Sequence, residues 1–414
     1  MLYLSIIKRK FFHGLTLVAS FPKLIIIINL QRIMKRFYIL ITIITVNNFY
    51  LNAQEISLNI GLDKTNIERI EIIKLWSNYL KSNPDEIFNN PYWCEKDKVK
   101  YKSYDLLKSE GFLSPSLYYF GLNNKILSIT KSGNDYIIKS AFYDKSNFDI
   151  YAITNVIATK NNDNFYLTNY QPHLVEKWLT KTVGNFTYHY FPNYKFNLDK
   201  AKDANNFLNK ICDIFKLQPQ KINYFICRDC DDIFKIKGFD YILSMGNGKE
   251  CGFFDNFNNI IYATAQAGEN HQHEITHFIN NYFPNANELL LTGLSAYWGE
   301  ENAHKGKPLL FSIKRVNEYL KNHPEIDLNK PNDFWKLDEE TNPQYVIGAI
   351  ICDLAIEKGG ITLLTRFLNN SKSNDEFLLF INKDLNITEG NLNNYIRRKI
   401  EKISNNNKFT KAKY

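Results

Sequence analysis

The sequence predicts an α+β protein built as two domains behind a leader. Three observations lead there. A helical pattern near residue 65 precedes four strand-like runs separated by turn residues. Past Gly184, strands and a helix alternate. From about residue 287 onward nearly every periodic stretch is helical. The expected divisions are a leader over 1–53, a small helix-plus-antiparallel-sheet domain over 54–182, a domain over 183–403 with a mixed-sheet half and then a helical half, and a disordered tail over 404–414. A chain of 414 residues can bury two or three cores, and 44% hydrophobic with 23% charged residues is ordinary for a soluble globular protein.

The leader reading rests on "MKRFYILITIITVNNFYLNAQ", from Met34. Lys35 and Arg36 precede an apolar stretch from Phe37 to Val46, and Ala53 stands before Gln54, the layout of a secretory signal peptide. Met34 is the expected start and residues 1–33 an upstream extension. The alternative is an uncleaved anchor that also uses "KLIIIINL". With the signal removed, no stable membrane span and an exported, periplasmic or secreted protein are expected.

In the first domain, Ile67, Ile70 and Ile73, with Leu75, Trp76, Tyr79 and Leu80, place a helix over 65–81. The runs "KILSITKS", "NDYIIKSAFY", "FDIYAITNVIATK" and "NFYLTNY" follow as strands. This order resembles the small cone-shaped domains similar to nuclear transport factor 2. In the second domain "NFTYHYFP" alternates Phe186, Tyr188 and Tyr190 as a half-buried strand, and residues 197–215 form a helix on Leu198, Ala201, Ala204, Leu208, Ile211 and Phe215. "INYFIC" and "NIIYATA" are strands, and "SMGNGKECGFFDNFNN" between them reads as a loop. Helices are expected at "NELLLTGLSAYW", "PLLFSIKRVNEYL", "PQYVIGAIICDLAIEK" (ended by Gly359 and Gly360), "ITLLTRFL" and "LNNYIRRKIEKI".

The net charge of +8 invites a nucleic-acid partner, but its distribution argues against one. Lys8, Arg9, Lys10, Lys23, Arg32, Lys35 and Arg36 lie ahead of every acid; the remaining 44 basic residues face 43 acids, a net of +1. A near-neutral body lacks the clustered cations that phosphate binding needs. Six cysteines, Cys94, Cys212, Cys227, Cys230, Cys251 and Cys352, include a single CxxC at 227–230. A zinc ribbon needs a second pair. In an oxidising compartment one disulfide, with nearby Cys251 as a partner, or unpaired thiols are expected.

The chemistry concentrates in "HQHEITHFINNYFP", His271 to Pro284. His273, Glu274 and His277 spell H-E-x-x-H. On a helix, residues four apart share a face, so two imidazoles can hold one Zn²⁺ at about 2.0–2.1 Å with an acid beside it to take a proton from water. Gly268 and Asn270 offer a helix start, Phe278 and Tyr282 an apolar face, and Pro284 a stop. His271, two positions from His273, is expected to point elsewhere, on a solvated helix start.

With "NNIIYATA" before "HEITH", then "LLLTGLSAYWGE" and "NPQYVIGAIICDLAIEKGG", the stretch from Gly184 to Ile403 resembles the gluzincin metallopeptidases, the peptidase MA-like group. The resemblance implies a zincin-like fold, a Zn²⁺ cofactor, His273 and His277 as metal ligands, Glu274 as general base, and a peptide or protein substrate. It also implies that Tyr345 and Gly348 lie near the cleft and that the strand before the active helix pairs with extended substrate. In that group the second helix reads like "EGLAxY", and its Glu is the third ligand. This chain writes Thr292 there. Glu288, one turn earlier, could replace it after a shift of about 5.4 Å, though an acid there also suits the helix dipole. Glu300, Glu301 or His304 could fold back instead. Otherwise the site binds metal weakly and the protein is an inactive relative. The leading functions are an exported zinc metallopeptidase and a catalytically impaired peptidase-like binding protein. A small-ligand pocket in the first domain is the third.

Overall fold

The computed structural model describes residues 56–107, 114–246, 251–299, 303, 306–338 and 340–412. The leader over 1–53 and the candidate ligands Glu300, Glu301 and His304 lie outside the described residues. Helices and mixed sheets make an α+β fold. No described helix is long and apolar enough to cross a membrane.

The first sheet runs in the order β1 (Ile56–Leu58), β2 (Asn123–Ser132), β3 (Asp135–Tyr143), β4 (Ile150–Asn161) and β5 (Asn164–Thr168). Strands β2 to β5 form the antiparallel meander that their alternating runs predict, and β1 joins parallel to β2. Helix α1 (Ile67–Leu80) begins where Asn66 accepts the amide of Arg69, and it buries Ile72, Leu75, Trp76, Tyr79 and Leu80. Each such side chain contributes about 1.5–3 kcal/mol on leaving water. The Trp76 indole donates to Asn124 Oδ1 at 3.0 Å, so this helix is also keyed to β2. Short helices α2 (Glu95–Lys100), α3 (Ser114–Tyr119) and α4 (Gln171–Leu174) complete this part.

The second sheet has the order β10 (Gly252–Asp255), β11 (Ile260–Thr264), β8 (Ile222–Cys227), β7 (Phe186–Tyr190), β6 (Leu179–Val183). The three central strands are parallel and the two outer ones antiparallel to them. Helix α5 (Leu198–Phe215) makes the crossover from β7 to β8, as parallel pairing requires. Strands β8 and β11 are buried on both faces. Tyr224, Ile226, Ile261 and Ala263 join the main core, while Phe225, Cys227, Ile260 and Tyr262 join a smaller cluster on the other side.

Between β8 and β11, two stretches differ from the sequence reading. Gly252–Asp255, expected within a loop, is the outer strand β10. Between β8 and β10 the chain forms α6 (Cys230–Lys237), capped by Asp229 and closed by Gly238 at φ 116°, then β9 (Phe239–Ile242). Strand β9 leaves its sequence neighbours and pairs antiparallel with β4 of the first sheet, with Ala152 opposite Ile242. A disulfide joins Cys230 to Cys251, while Cys94, Cys212, Cys227 and Cys352 are free thiols. The disulfide therefore takes the second cysteine of the CxxC.

The rest is helical: α7 (Gln272–Asn280), α8 (Glu288–Gly299), α9 (Leu309–Asn322), α10 (Pro343–Asn369), α11 (Asn374–Leu385) and α12 (Glu389–Asn405). Helix α10 is broken at Gly359 and at Gly360, whose φ of 65° favours glycine, so the expected stop is a kink between two helical segments. Helices α8 and α10 cross at backbone contact. A Cβ placed on Gly293 would lie 2.1 Å from the Gly348 carbonyl carbon, and one on Gly348 would lie 2.1 Å from the Leu289 oxygen.

The tail expected to be disordered instead docks where it is described. Phe409 meets the Tyr297 ring edge-on at 5.9 Å, and the Ala412 amide donates to Asp353 Oδ1 at 2.8 Å. Asp353 is buried, and burial raises its carboxyl above the ordinary range despite that bond and the nearby Lys399. Deleting residues 406–414 is expected to cost about 1–3 kcal/mol, read as a lower denaturant midpoint, because a buried carboxylate loses a donor. An unchanged midpoint would show that the tail contacts add nothing.

Candidate metal centre

The loop ahead of α7 is fixed from the sheet. The Tyr224 hydroxyl donates to the Gly268 carbonyl at 2.7 Å and accepts the His271 amide at 3.3 Å. The Tyr188 hydroxyl donates to the Glu269 carbonyl at 3.1 Å. Helix α7 then starts at Gln272 and buries Ile275, Phe278 and Ile279; of the expected apolar face, Phe278 lies in it, while Tyr282 follows the helix end at Asn280.

His273 and His277 come together as the four-residue spacing predicts. Their Nε2 atoms lie 3.2 Å apart. Two nitrogens each about 2.05 Å from one tetrahedral ion would be roughly 3.3 Å apart, so the pair has the spread of a tetrahedral edge. Glu274 completes a group whose ligand atoms lie within 4.8 Å of one another, the one such cluster among the described residues. His273 and Glu274 are buried and His277 half-buried. Burial pushes the Glu274 carboxyl up to about 8. Burial also lowers His277 to about 4, which keeps its imidazole neutral, the form that ligates metal.

Around this group lies a cleft of about 730 Å³, lined by Glu288, Thr292, Tyr345 and the start of β10 as well as by the triplet. Tyr345, on α10, stands with its ring 5.6 Å from that of His273. Burial first, and then the Glu274 charge, pushes its hydroxyl up to about 12, so it stays a hydrogen-bond donor. The Gly293–Gly348 crossing brings together the helices from which Tyr345, one turn before Gly348, and Thr292, the neighbour of Gly293, both line the cleft. Glu288 is exposed at the head of α8 and stands outside the ligand group, while Thr292 is half-buried in the cleft wall.

Two expectations change. His271 is not solvated: it is buried, with Nδ1 3.7 Å from Glu274 Oε1, though it stands outside the ligand group. The strand before α7, β11, is flanked by β10 and β8, so it has no free edge to offer substrate. The strand bordering the cleft is β10. Gly252 lets it approach closely, since a Cβ there would lie 2.6 Å from Glu274 Cγ and from His271 Cε1. Sequence reasoning also passed over Asn280 and Ser295, which meet His277 Nδ1 at 2.8 and 3.2 Å. Asn280, three residues after His277 on one helix, was open to inference; Ser295 was not.

No protein-family model and no curated protein matches this chain.

Proposed function

We propose that this chain is an exported zinc-dependent metallopeptidase of the gluzincin kind, with His273 and His277 as metal ligands and Glu274 as general base. The observation that carries the reading is the 3.2 Å separation of the two Nε2 atoms, with the Glu274 carboxyl buried beside them in an open cleft. Zinc bound there would supply Lewis-acid polarisation and a water of lowered pKa. Glu274 would take a proton from that water and return it to the leaving amine, since a nearby cation favours its charged form. The Tyr345 hydroxyl would donate to the oxygen on which charge develops. The outer edge of β10 would align an extended peptide through its backbone groups. The Cys230–Cys251 disulfide supports an oxidising compartment and so export.

Thr292 favours a second reading, a peptidase-like binding protein with impaired turnover. The cleft wall carries a hydroxyl where the resemblance implies a carboxylate, and Glu288 stands apart from the cluster. Metal analysis of the mature protein decides between them. The enzyme reading expects about one zinc per chain, lost in His273→Ala. The binding reading expects sub-stoichiometric zinc, no hydrolysis of unstructured substrates, and tighter zinc in Thr292→Glu. Zinc content unaffected by His273→Ala would overturn the site assignment.

A further inference from the structure

His277 presents Nδ1 to two polar groups that share a third partner. Ser295 Oγ lies 3.2 Å from Nδ1 and 3.3 Å from the Leu291 carbonyl oxygen. Asn280 Nδ2 lies 2.8 Å from Nδ1 and 3.3 Å from the same oxygen. Asn280 Oδ1 is buried and has no hydrogen-bond partner among the described residues.

Hydrogen counting makes these contacts conflict. The single hydroxyl hydrogen of Ser295 points to Leu291, so toward His277 the oxygen accepts. The amide nitrogen of Asn280 only donates. One nitrogen of a neutral imidazole cannot give and take a proton at once. With the Asn280 nitrogen facing it, Nδ1 is the acceptor and the ring proton sits on Nε2, where it bridges to His273 Nε2 at 3.2 Å. A cation at Nε2 needs that lone pair, and the ring proton must then sit on Nδ1. Turning the Asn280 amide through half a turn places its oxygen at Nδ1 and gives that oxygen the donor it lacks, while the nitrogen gives up the Leu291 carbonyl and must find an acceptor where the oxygen stood. Leu291 keeps the Ser295 hydroxyl, and Ser295 now accepts without conflict.

We propose that Asn280 is a positioning residue whose side-chain amide sets the tautomer of His277, presenting nitrogen to Nδ1 when the ring proton is on Nε2 and oxygen when a divalent cation takes Nε2, with Ser295 as the second acceptor. His277 stays neutral throughout: one proton leaves Nε2 for water and one is taken up at Nδ1. This inference rests on the reading of His273 and His277 as metal ligands.

The test is competitive zinc titration of the full chain after chelator stripping, for wild type, Asn280→Ala and Asn280→Asp, with the thermal midpoint of each stripped form recorded alongside. Asn280→Ala is expected to bind zinc 10–100-fold more weakly. Asn280→Asp, which only accepts from Nδ1–H, is expected to recover wild-type affinity or better. In wild type, ¹⁵N shifts of His277 should place the proton on Nε2 in the stripped protein and on Nδ1 in the zinc-loaded one. Wild-type affinity in Asn280→Ala, equal weakness in the two variants, or one tautomer in both forms overturns the role of Asn280 and leaves the metal site standing. Absence of zinc binding by wild type overturns the site and this inference together.

Discussion

Replacing Glu274 by Gln is expected to lower peptide hydrolysis by about 10²–10⁴-fold while zinc content stays at the wild-type level. The two outcomes separate because the side chain has two possible jobs. As a base it must hold and release a proton, which an amide of the same shape cannot do. As a ligand it would be missed by the metal. The surroundings favour the base: Glu274 is buried, its carboxyl is lifted to about 8, and it stands beside the two imidazoles that face each other. Burial already disfavours the charged form of Glu274, so a neutral amide of the same shape should leave the metal-free variant no less stable. The measurement pairs turnover of an unstructured peptide with elemental analysis of the same sample. Full activity would end the assignment of Glu274, and joint loss of zinc and activity would make it a ligand.

Gly293→Ala is expected to be the most damaging small substitution in the helical half, at about 3 kcal/mol or more. The added carbon would meet the Gly348 carbonyl carbon at 2.1 Å, Gly348 Cα at 2.4 Å and the Ala349 nitrogen at 2.6 Å, all backbone with no rotamer to yield. Helices α8 and α10 must therefore separate, carrying Tyr345 away from His273. Gly348→Ala should act through the same crossing, so the double variant should cost less than the sum. Gly390→Ala is the control, because a Cβ there meets nothing within 4 Å. Denaturant midpoints for the four proteins check this. A Gly293→Ala midpoint equal to that of Gly390→Ala would show that the crossing relaxes freely.

The sequence exposed what is local and periodic. Helix α7 and its paired imidazoles follow from a four-residue spacing and the apolar residues beneath it. The meander from β2 to β5 follows from alternation broken by turn residues. What stayed hidden is short or depends on distant partners. Strand β10 has four residues, opens with Gly252, and sits within a stretch whose glycines read as loop. Nothing in "FDYI" states that it belongs beside Ala152. Helix α11 has a start that is legible in the sequence, the capping box of Ser373 and Glu376. The tail deceived through composition, since Asn and Lys surround a Phe409 that has a ring to meet. At the cleft the sequence located the uncertainty at Thr292, and the structure keeps it there, with Glu288 exposed at the rim.

The return of β9 to the first sheet has a consequence for how the chain is made. Residues 152–154 of β4 pair with β3 on one side, but gain a neighbour on the other side only when residues 239–242 arrive. On the ribosome, that part of β4 presents unpaired backbone groups while the next 80 or so residues are synthesised, a long exposure for an apolar edge. The pairing then couples the two sheets at a high cost in loop closure, so the first sheet completes late and slowly. A nascent chain halted before Phe239 would offer its β4 edge to other chains, and chaperone capture would fall in that interval rather than after release.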